Sequence, residues 1–149
     1  MNLSQKCQYA IRSLLELSKF YGEGPVRISK IADKQAIPPR FLENILNELK
    51  STNMIESRRG AHGGYMLIKR PDKITVGEII RLIDGPLDPV QCIGDKNNPN
   101  CPLRGKCALI NLWKRAKSAI EEVYDSTTFA DLVEEENQLN CSDFPDYCI

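Results

Sequence analysis

Between residues 28 and 69 the chain has two short segments of helical apolar period, a proline-marked break between them, and then a glycine-rich hairpin. Few folds accommodate that order. Ile28, Ile31 and Ala32 recur on one side of a helix that ends near Gln35. Ala36-Ile37-Pro38-Pro39 follows, and a proline at the first helical position suits the start of another helix, which runs to about Ser51. Its apolar side is Leu42, Ile45, Leu46 and Leu49, and its polar side is Arg40, Glu43, Asn44 and Asn47. Two short helices joined by a tight turn make a helix-turn-helix candidate. Met54 to Arg59 and Tyr65 to Lys69 then read as two strands around Gly60-Ala61-His62-Gly63-Gly64, with Arg58, Arg59 and His62 at the tip. Glycines there let backbone approach a partner closely. A hairpin in this place is the wing of a winged helix-turn-helix, so the pattern predicts a mainly α fold with a small β-hairpin.

The flanking sequence divides in the same manner. Leu3, Cys7, Ala10, Ile11, Leu14, Leu17 and Tyr21 mark an amphipathic helix that Gly22 and Gly24-Pro25 end. Residues 1–70 therefore form the winged region. Residues 71–86 hold a connecting helix: Thr75 and Glu78 form a capping box, Ile74 and Ile79 a hydrophobic staple, and Gly85-Pro86 a stop. A cysteine-containing loop spans 87–107. A long helix follows to Tyr124, with Leu109, Leu112, Trp113, Ala116, Ile120 and Val123 on one face. Thr128 and Asp131 cap a last helix over 129–139, and the polar residues 140–149 form a flexible tail.

The chain's 149 residues suit one domain with an appendage, and 42% apolar with 27% charged residues is ordinary globular composition. No apolar run approaches the ~20 residues of a membrane span. Glu16 and Lys19 interrupt any signal-peptide h-region. A single histidine excludes chemistry built on several, and no nucleophile–base pair or phosphate-binding loop stands out. These features predict a cytoplasmic non-enzyme. The formal charge of zero conceals a basic half, 12 Lys+Arg against six Asp+Glu over 1–70, and an acidic half, eight against 14 over 71–149. The +6 half suits a polyanionic partner.

In a helix-turn-helix the second helix enters the major groove, where side chains read base edges. Arg40 pairs with guanine or a phosphate, Asn44 and Asn47 pair with adenine, and Glu43 accepts from the cytosine amino group. Arg58, Arg59 and Lys69 add phosphate or minor-groove contacts. Cys92, Cys101 and Cys107 fall within sixteen residues that also hold Gly94, Pro99, Pro102 and Gly105. In a reducing compartment such clustered thiols are metal ligands or redox sensors.

The chain resembles the Rrf-two family of winged-helix transcription regulators, which includes the iron–sulfur cluster regulator, the nitric-oxide-sensing repressor and the cysteine-metabolism repressor. The resemblance rests on Leu3-Ser4 with Tyr9-Ala10, Gly24-Pro25-Val26, Ile31-Ala32, Phe41-Leu42-Glu43, Arg59-Gly60 with Gly63-Gly64-Tyr65, Thr75-Val76-Gly77-Glu78-Ile79-Ile80, Gly85-Pro86, Trp113 and Asp125-Ser126-Thr127-Thr128, and covers about residues 1–135. It implies a homodimer crossing at the helix over 108–124, bound to a pseudo-palindromic operator in double-stranded DNA. Arg40, Phe41, Glu43 and Asn44 would lie on its reading helix, and Arg59, with Gly63 and Gly64 beside it, on its wing.

Cluster-binding members carry three cysteines before the dimerisation helix, and Cys92, Cys101 and Cys107 match that placement, with a first gap longer than is usual. Thiolates are soft donors suited to a [2Fe–2S] or [4Fe–4S] cluster. The resemblance supplies no fourth ligand: Ile110 occupies the position at which some members carry a histidine, and Gln8 the position at which others bring a carboxylate from the first helix of the partner subunit. Cys7 is the best substitute, ahead of Cys141 and Cys148, although Cys7 also suits the apolar stripe of the first helix. A thiol switch and a zinc site compete with the cluster. A cluster-free repressor of cysteine or sulfur metabolism genes, controlled by its thiols or by a protein partner, is the alternative reading.

Overall fold

The computed structural model describes residues 2–93 and 101–143. In chain order come α1 (Gln5–Lys19), α2 (Ile28–Gln35), α3 (Pro39–Ser51), β1 (Ile55–Arg58), β2 (Gly64–Leu67), α4 (Val76–Ile83), α5 (Ile110–Ser126) and α6 (Phe129–Asp143), with 3₁₀ turns at Pro71–Lys73 and Gln91–Ile93. The mainly α architecture with its two-stranded hairpin is as the periodicity predicts. α6 differs: it runs to Asp143, past the expected end at 139 and into the stretch read as a tail. The rest of that tail, and the middle of the cysteine-containing loop, lie outside the described residues.

Helix α1 is the hub. Ser4 accepts from the Cys7 amide at 3.1 Å and so satisfies one of its free N-terminal donors. Ala10, Leu14 and Leu17 are fully buried against Ile31 of α2, Leu42, Ile45, Leu46 and Leu49 of α3, Ile55 and Leu67 of the hairpin, and Phe129 of α6. A second cluster joins Cys7 to Val76, Ile80 and Leu87, with Ile120 and Tyr124 of α5 packed beside it. Ala36, in the left-handed region at φ 48°, turns the chain from α2 into α3 and sends Ile37 into the core.

Both expected caps form, in different ways. Thr128 Oγ1 accepts from the Asp131 amide at 3.2 Å while Asp131 accepts from the Thr128 amide at 2.8 Å, a reciprocal box. Thr75 accepts from the Glu78 amide at 3.2 Å, but the Glu78 carboxylate turns outward to Lys69 Nζ, at 2.7 and 2.9 Å. Half of that box is thus exchanged for an ion pair between the hairpin and α4.

Amphipathic periodicity does not foretell the buried polar groups of α1. Ser13 and Ser18 donate to the carbonyls of Tyr9 and Leu14, four residues back. Glu16, 2% exposed, accepts from Lys19 at 2.8 Å and from Gln35 at 3.0 Å, and Lys19 also reaches Glu136 of α6 at 2.8 Å. Burial pushes the Glu16 carboxyl up, but the hydrogen bonds from Lys19 and Gln35, with the charges of Lys19 and Lys30, outweigh it and hold the pKa below 4.5. A lowered carboxyl pKa contributes stability that is complete above the unfolded value and is lost as pH falls through the folded one. Acid unfolding curves should therefore show an acid limb below about pH 4.5 that is shallower in Glu16→Gln. Parallel limbs would assign acid sensitivity to other groups.

Helix α5 presents two apolar faces rather than the single one expected. Ile120 and Tyr124 pack on the second cluster beside α4. Leu109, Leu112 and Val123 point away from the protomer, at 51%, 50% and 61% exposure.

Candidate nucleic-acid interface and thiol cavity

Pro39 opens α3, and the 3.6-residue period then sorts its side chains. Leu42, Ile45, Leu46 and Leu49 face α1, while Arg40, Phe41, Glu43, Asn44 and Asn47 are exposed. Phe41 leans on Tyr9, ring centroids 6.5 Å apart, yet stays 61% exposed, and the Arg12 guanidinium lies 5.9 Å from the Tyr9 ring centre. The outward set thus combines guanidinium, carboxylate, carboxamides and an aromatic face on one helical surface. Those groups can discriminate base edges and thymine methyls.

The hairpin is fastened to this helix pair at several points. β1 and β2 pair antiparallel from Ile55↔Leu67 to Arg58↔Gly64, and Lys50 of α3 donates to Ser57 at 2.7 Å. Val26, just before α2, exchanges backbone hydrogen bonds with Tyr65 at 2.8 and 2.9 Å. Gly63 and Gly64 are required by packing: a Cβ would sit 2.3 Å from the Arg58 carbonyl oxygen at the first and 2.3 Å from the Val26 carbonyl oxygen at the second. Arg59 and His62 are exposed at the tip, and like Arg40 they take no ion-pair or side-chain hydrogen-bond partner among the described residues. Arg58 lies 3.5 Å from Glu56 on the same strand. Lys69 does not join them, because Glu78 holds it.

Far along the chain, three cysteines share the wall of one cavity of ≈ 210 Å³, with Leu103, Arg104 and Ile110. The turn at Gln91–Ile93 carries Cys92. Overlapping turns, Arg104 N–H to the Cys101 carbonyl at 3.1 Å and Lys106 N–H to the Leu103 carbonyl at 2.9 Å, bring Cys101 and Cys107 to the same wall. All three are free thiols. Among the described residues, no three His, Cys, Asp or Glu side chains stand close enough to hold a metal ion in this arrangement.

Within the protomer Cys7 is not at that wall. It is fully buried in the second cluster, where burial, with the charge and hydrogen bond of Asp84, pushes its thiol up to about 11. Gln8 points its amide at the Leu3 carbonyl, 3.1 Å away, and Ile110 brings only hydrocarbon to the cavity. Cys141 lies on the last turn of α6, and Cys148 is outside the described residues.

A helix-turn-helix with a polar outward face, a cation-bearing wing and a basic half-chain defines a DNA-binding transcriptional regulator. Comparisons with known proteins agree. Residues 3–135 match the family described as "Rrf2: Iron-dependent Transcriptional regulator", and the chain belongs to it. It is 38% identical over 132 residues to the HTH-type transcriptional regulator CymR of Bacillus subtilis (strain 168), covering 89% of each chain. It is 32% identical over 146 residues to the HTH-type transcriptional regulator IscR of Sodalis glossinidius (strain morsitans), covering 98% of this chain and 87% of that one. Among solved structures, that of CymR (YrzC), titled the global cysteine regulator of B. subtilis, superposes with a TM-score of 0.75 at 36% identity, covering 91% of this chain and 98% of that chain. T. potens IscR superposes with a TM-score of 0.72 at 32% identity, covering 91% and 88%. The family is a non-enzymatic one. Among the described residues no helix is long and apolar enough to cross a membrane.

Proposed function

We propose that the protein is a dimeric repressor that reads a pseudo-palindromic operator with Arg40, Phe41, Glu43, Asn44 and Asn47, and that an iron–sulfur cluster held by Cys92, Cys101 and Cys107 sets its DNA affinity. The observation that carries the sensing half is the convergence of three free thiols on one cavity at the foot of α5. The donor chemistry fits: three soft thiolates, with no competing histidine, suit iron–sulfur ligation. When bound, such a cluster supplies one-electron redox chemistry and, with three protein ligands, a coordination point open to small oxidants.

The dimer is supported by the outward face of α5. Leu109, Leu112, Ala116, Ala119 and Val123 follow alternating steps of three and four residues, the seam of a helix–helix contact. Lys114 and Arg115 lie in its first half and Glu122 in its second, so an antiparallel crossing places opposite charges together. Arg58, Arg59 and His62 supply wing contacts to phosphates or the minor groove.

The residues between cavity and reading helix form a continuous path. Lys117 of α5 holds Asp88 at 2.7 Å, beside the loop's start. Arg81 of α4 holds Asp125 of α5 at 2.6 Å. Asp84, at the end of α4, accepts from the Ser4 amide at 2.8 Å and from its hydroxyl, and so anchors α1, on which α3 packs. Drawing the three cysteines together would shift α5 against α4 along this path, a coupling of roughly 1–3 kcal/mol between loop and operator.

The test is the visible spectrum, with iron and sulfide content, of protein purified without oxygen. A thiolate-to-iron band near ~400 nm is expected, lost in Cys92→Ala and retained in Cys7→Ser, whose thiol is buried and protonated. Operator affinity at fixed salt should then differ between loaded and cluster-free protein, and equal affinities would overturn cluster control. The similarity to CymR favours a second reading, a cluster-free repressor of cysteine or sulfur metabolism genes controlled by thiol chemistry or a protein partner. A colourless protein that stays iron-free after reconstitution would select it.

A further inference from the structure

The wing cations do not orient themselves. Residues 60–63 form a tight turn closed by the Gly63 amide on the Gly60 carbonyl at 3.0 Å, and neither Arg59 nor His62 has a side-chain partner among the described residues. A two-stranded ribbon of four residues per strand is a weak platform on its own. Besides the Lys50–Ser57 bond to β1, two features near the turn hold it against the body of the domain. One is the Val26–Tyr65 bridge, next to the Arg58↔Gly64 pair that closes the ladder at the turn, made possible because Gly64 has no Cβ to meet the Val26 carbonyl. The other lies in the turn itself. Arg27, the residue immediately after Val26 and the N-cap position of α2, spans from the helix to the wing and donates from Nη2 to the Ala61 carbonyl at 2.7 Å. Arg27 has no other side-chain hydrogen bond or ion pair among the described residues, so the clamp is its one structural bond.

We infer that Arg27 is a positioning residue for DNA recognition: by tying the tip of the wing to the start of α2, it fixes where Arg58, Arg59 and His62 meet the duplex. This rests on the reading of the wing as a DNA contact. A guanidinium suits the task because one N–H reaches the Ala61 carbonyl while four others remain to be solvated, so no buried donor is left unmet. The bridge fixes the strand that leaves the turn, and Arg27 fixes the turn itself. With both in place the hairpin cannot rock as a hinged flap, and the entropy of ordering it is not lost at the moment of binding.

The rival explanation of an exposed arginine beside a DNA-binding helix is a phosphate contact of its own, and a double-mutant cycle separates the two. Operator affinity is measured as a function of salt for wild type, Arg27→Ala, Arg59→Ala and the double variant, with thermal unfolding as a check on folding. Arg27→Ala is expected to weaken binding about fivefold, the scale of one hydrogen bond, with the melting temperature essentially unchanged because the side chain is exposed. The salt dependence should stay as in wild type. In the Arg59→Ala background the same substitution should cost little further, since the orientation it secures no longer matters. Arg27→Gln, which keeps an N–H donor without the charge, should recover part of the loss. Additive losses, with the slope of log affinity against log salt falling by about one, would overturn the positioning role and make Arg27 a phosphate ligand. If Arg59→Ala binds as tightly as wild type, the wing reading fails first, and the inference falls with it.

Discussion

Leu112→Asp is expected to turn the proposed dimer into a monomer and to weaken operator binding by ~10²–10⁴-fold, the range lost when two linked binding heads become one. Leu112 is 50% exposed in the protomer and lies on the outward stripe of α5 with Leu109 and Val123. A carboxylate there therefore costs the isolated chain little, whereas at the centre of a two-fold contact it meets its own copy across a desolvated seam. Like charges in such a place are unfavourable by several kcal/mol. Sedimentation at micromolar concentration reads the assembly, and operator titration reads the consequence. A Leu112→Asp protein that stays dimeric would place the interface on another surface and remove the geometric reason for a pseudo-palindromic site.

Helix α3 supplies the second large effect, because its two faces serve different ends. Leu46→Ala removes three carbons from a site with no solvent exposure, wedged between α1 and the rest of the core. The cost should be about 2–5 kcal/mol, transfer free energy plus cavity, with a fall in melting temperature of roughly 10 °C for a chain of this size. Two residues earlier, Asn44→Ala should leave the melting temperature where it was, since the carboxamide is exposed. It should instead cost about 1–3 kcal/mol of discrimination at one adenine of the operator, with weaker losses at other sequences. Reversal of these assignments, a stability loss at position 44 or a binding loss alone at position 46, would mean that α3 presents a different face.

Ordering by the apolar period was legible wherever one side of a helix meets the core. For α2 and α3 the expected residues are the observed ones, because Leu42, Ile45, Leu46 and Leu49 share one helical face and Pro39, if helical, must sit in the first turn. The same reasoning gave one face to α5, where there are two: Ile120 and Tyr124 pack inward while Leu109, Leu112 and Val123 point out. Periodicity reports that a side chain is apolar at a given angle; it does not report what stands opposite. Lys69 shows the corresponding limit for charge. In the sequence it is one more wing cation, and only the approach of α4 gives it the Glu78 carboxylate.

The cysteines divide along the same line. That Cys92, Cys101 and Cys107 belong together follows from spacing among turn-forming residues, and they do line one cavity. Nothing in the spacing says that Cys7, attractive as a donor, is sealed beneath Val76, Ile80 and Leu87 with its thiol protonated, or that the end of α4 hangs on α1 through Asp84.

Local sequence therefore determined the elements of this protein: which segments are helical, which side of the helices that meet the core is greasy, where the hairpin turns and which residue types are offered to DNA. These depend on backbone dihedrals, caps and side-chain period, all set within a few residues. Tertiary structure alone decided the partnerships: Glu16 with Lys19 and Gln35, Lys69 with Glu78, Arg81 with Asp125, Arg27 with the tip of the wing. Each joins groups whose separation is fixed by the packing of whole helices, and the free energy of such a pair depends on distance and burial, which short-range sequence pattern does not encode.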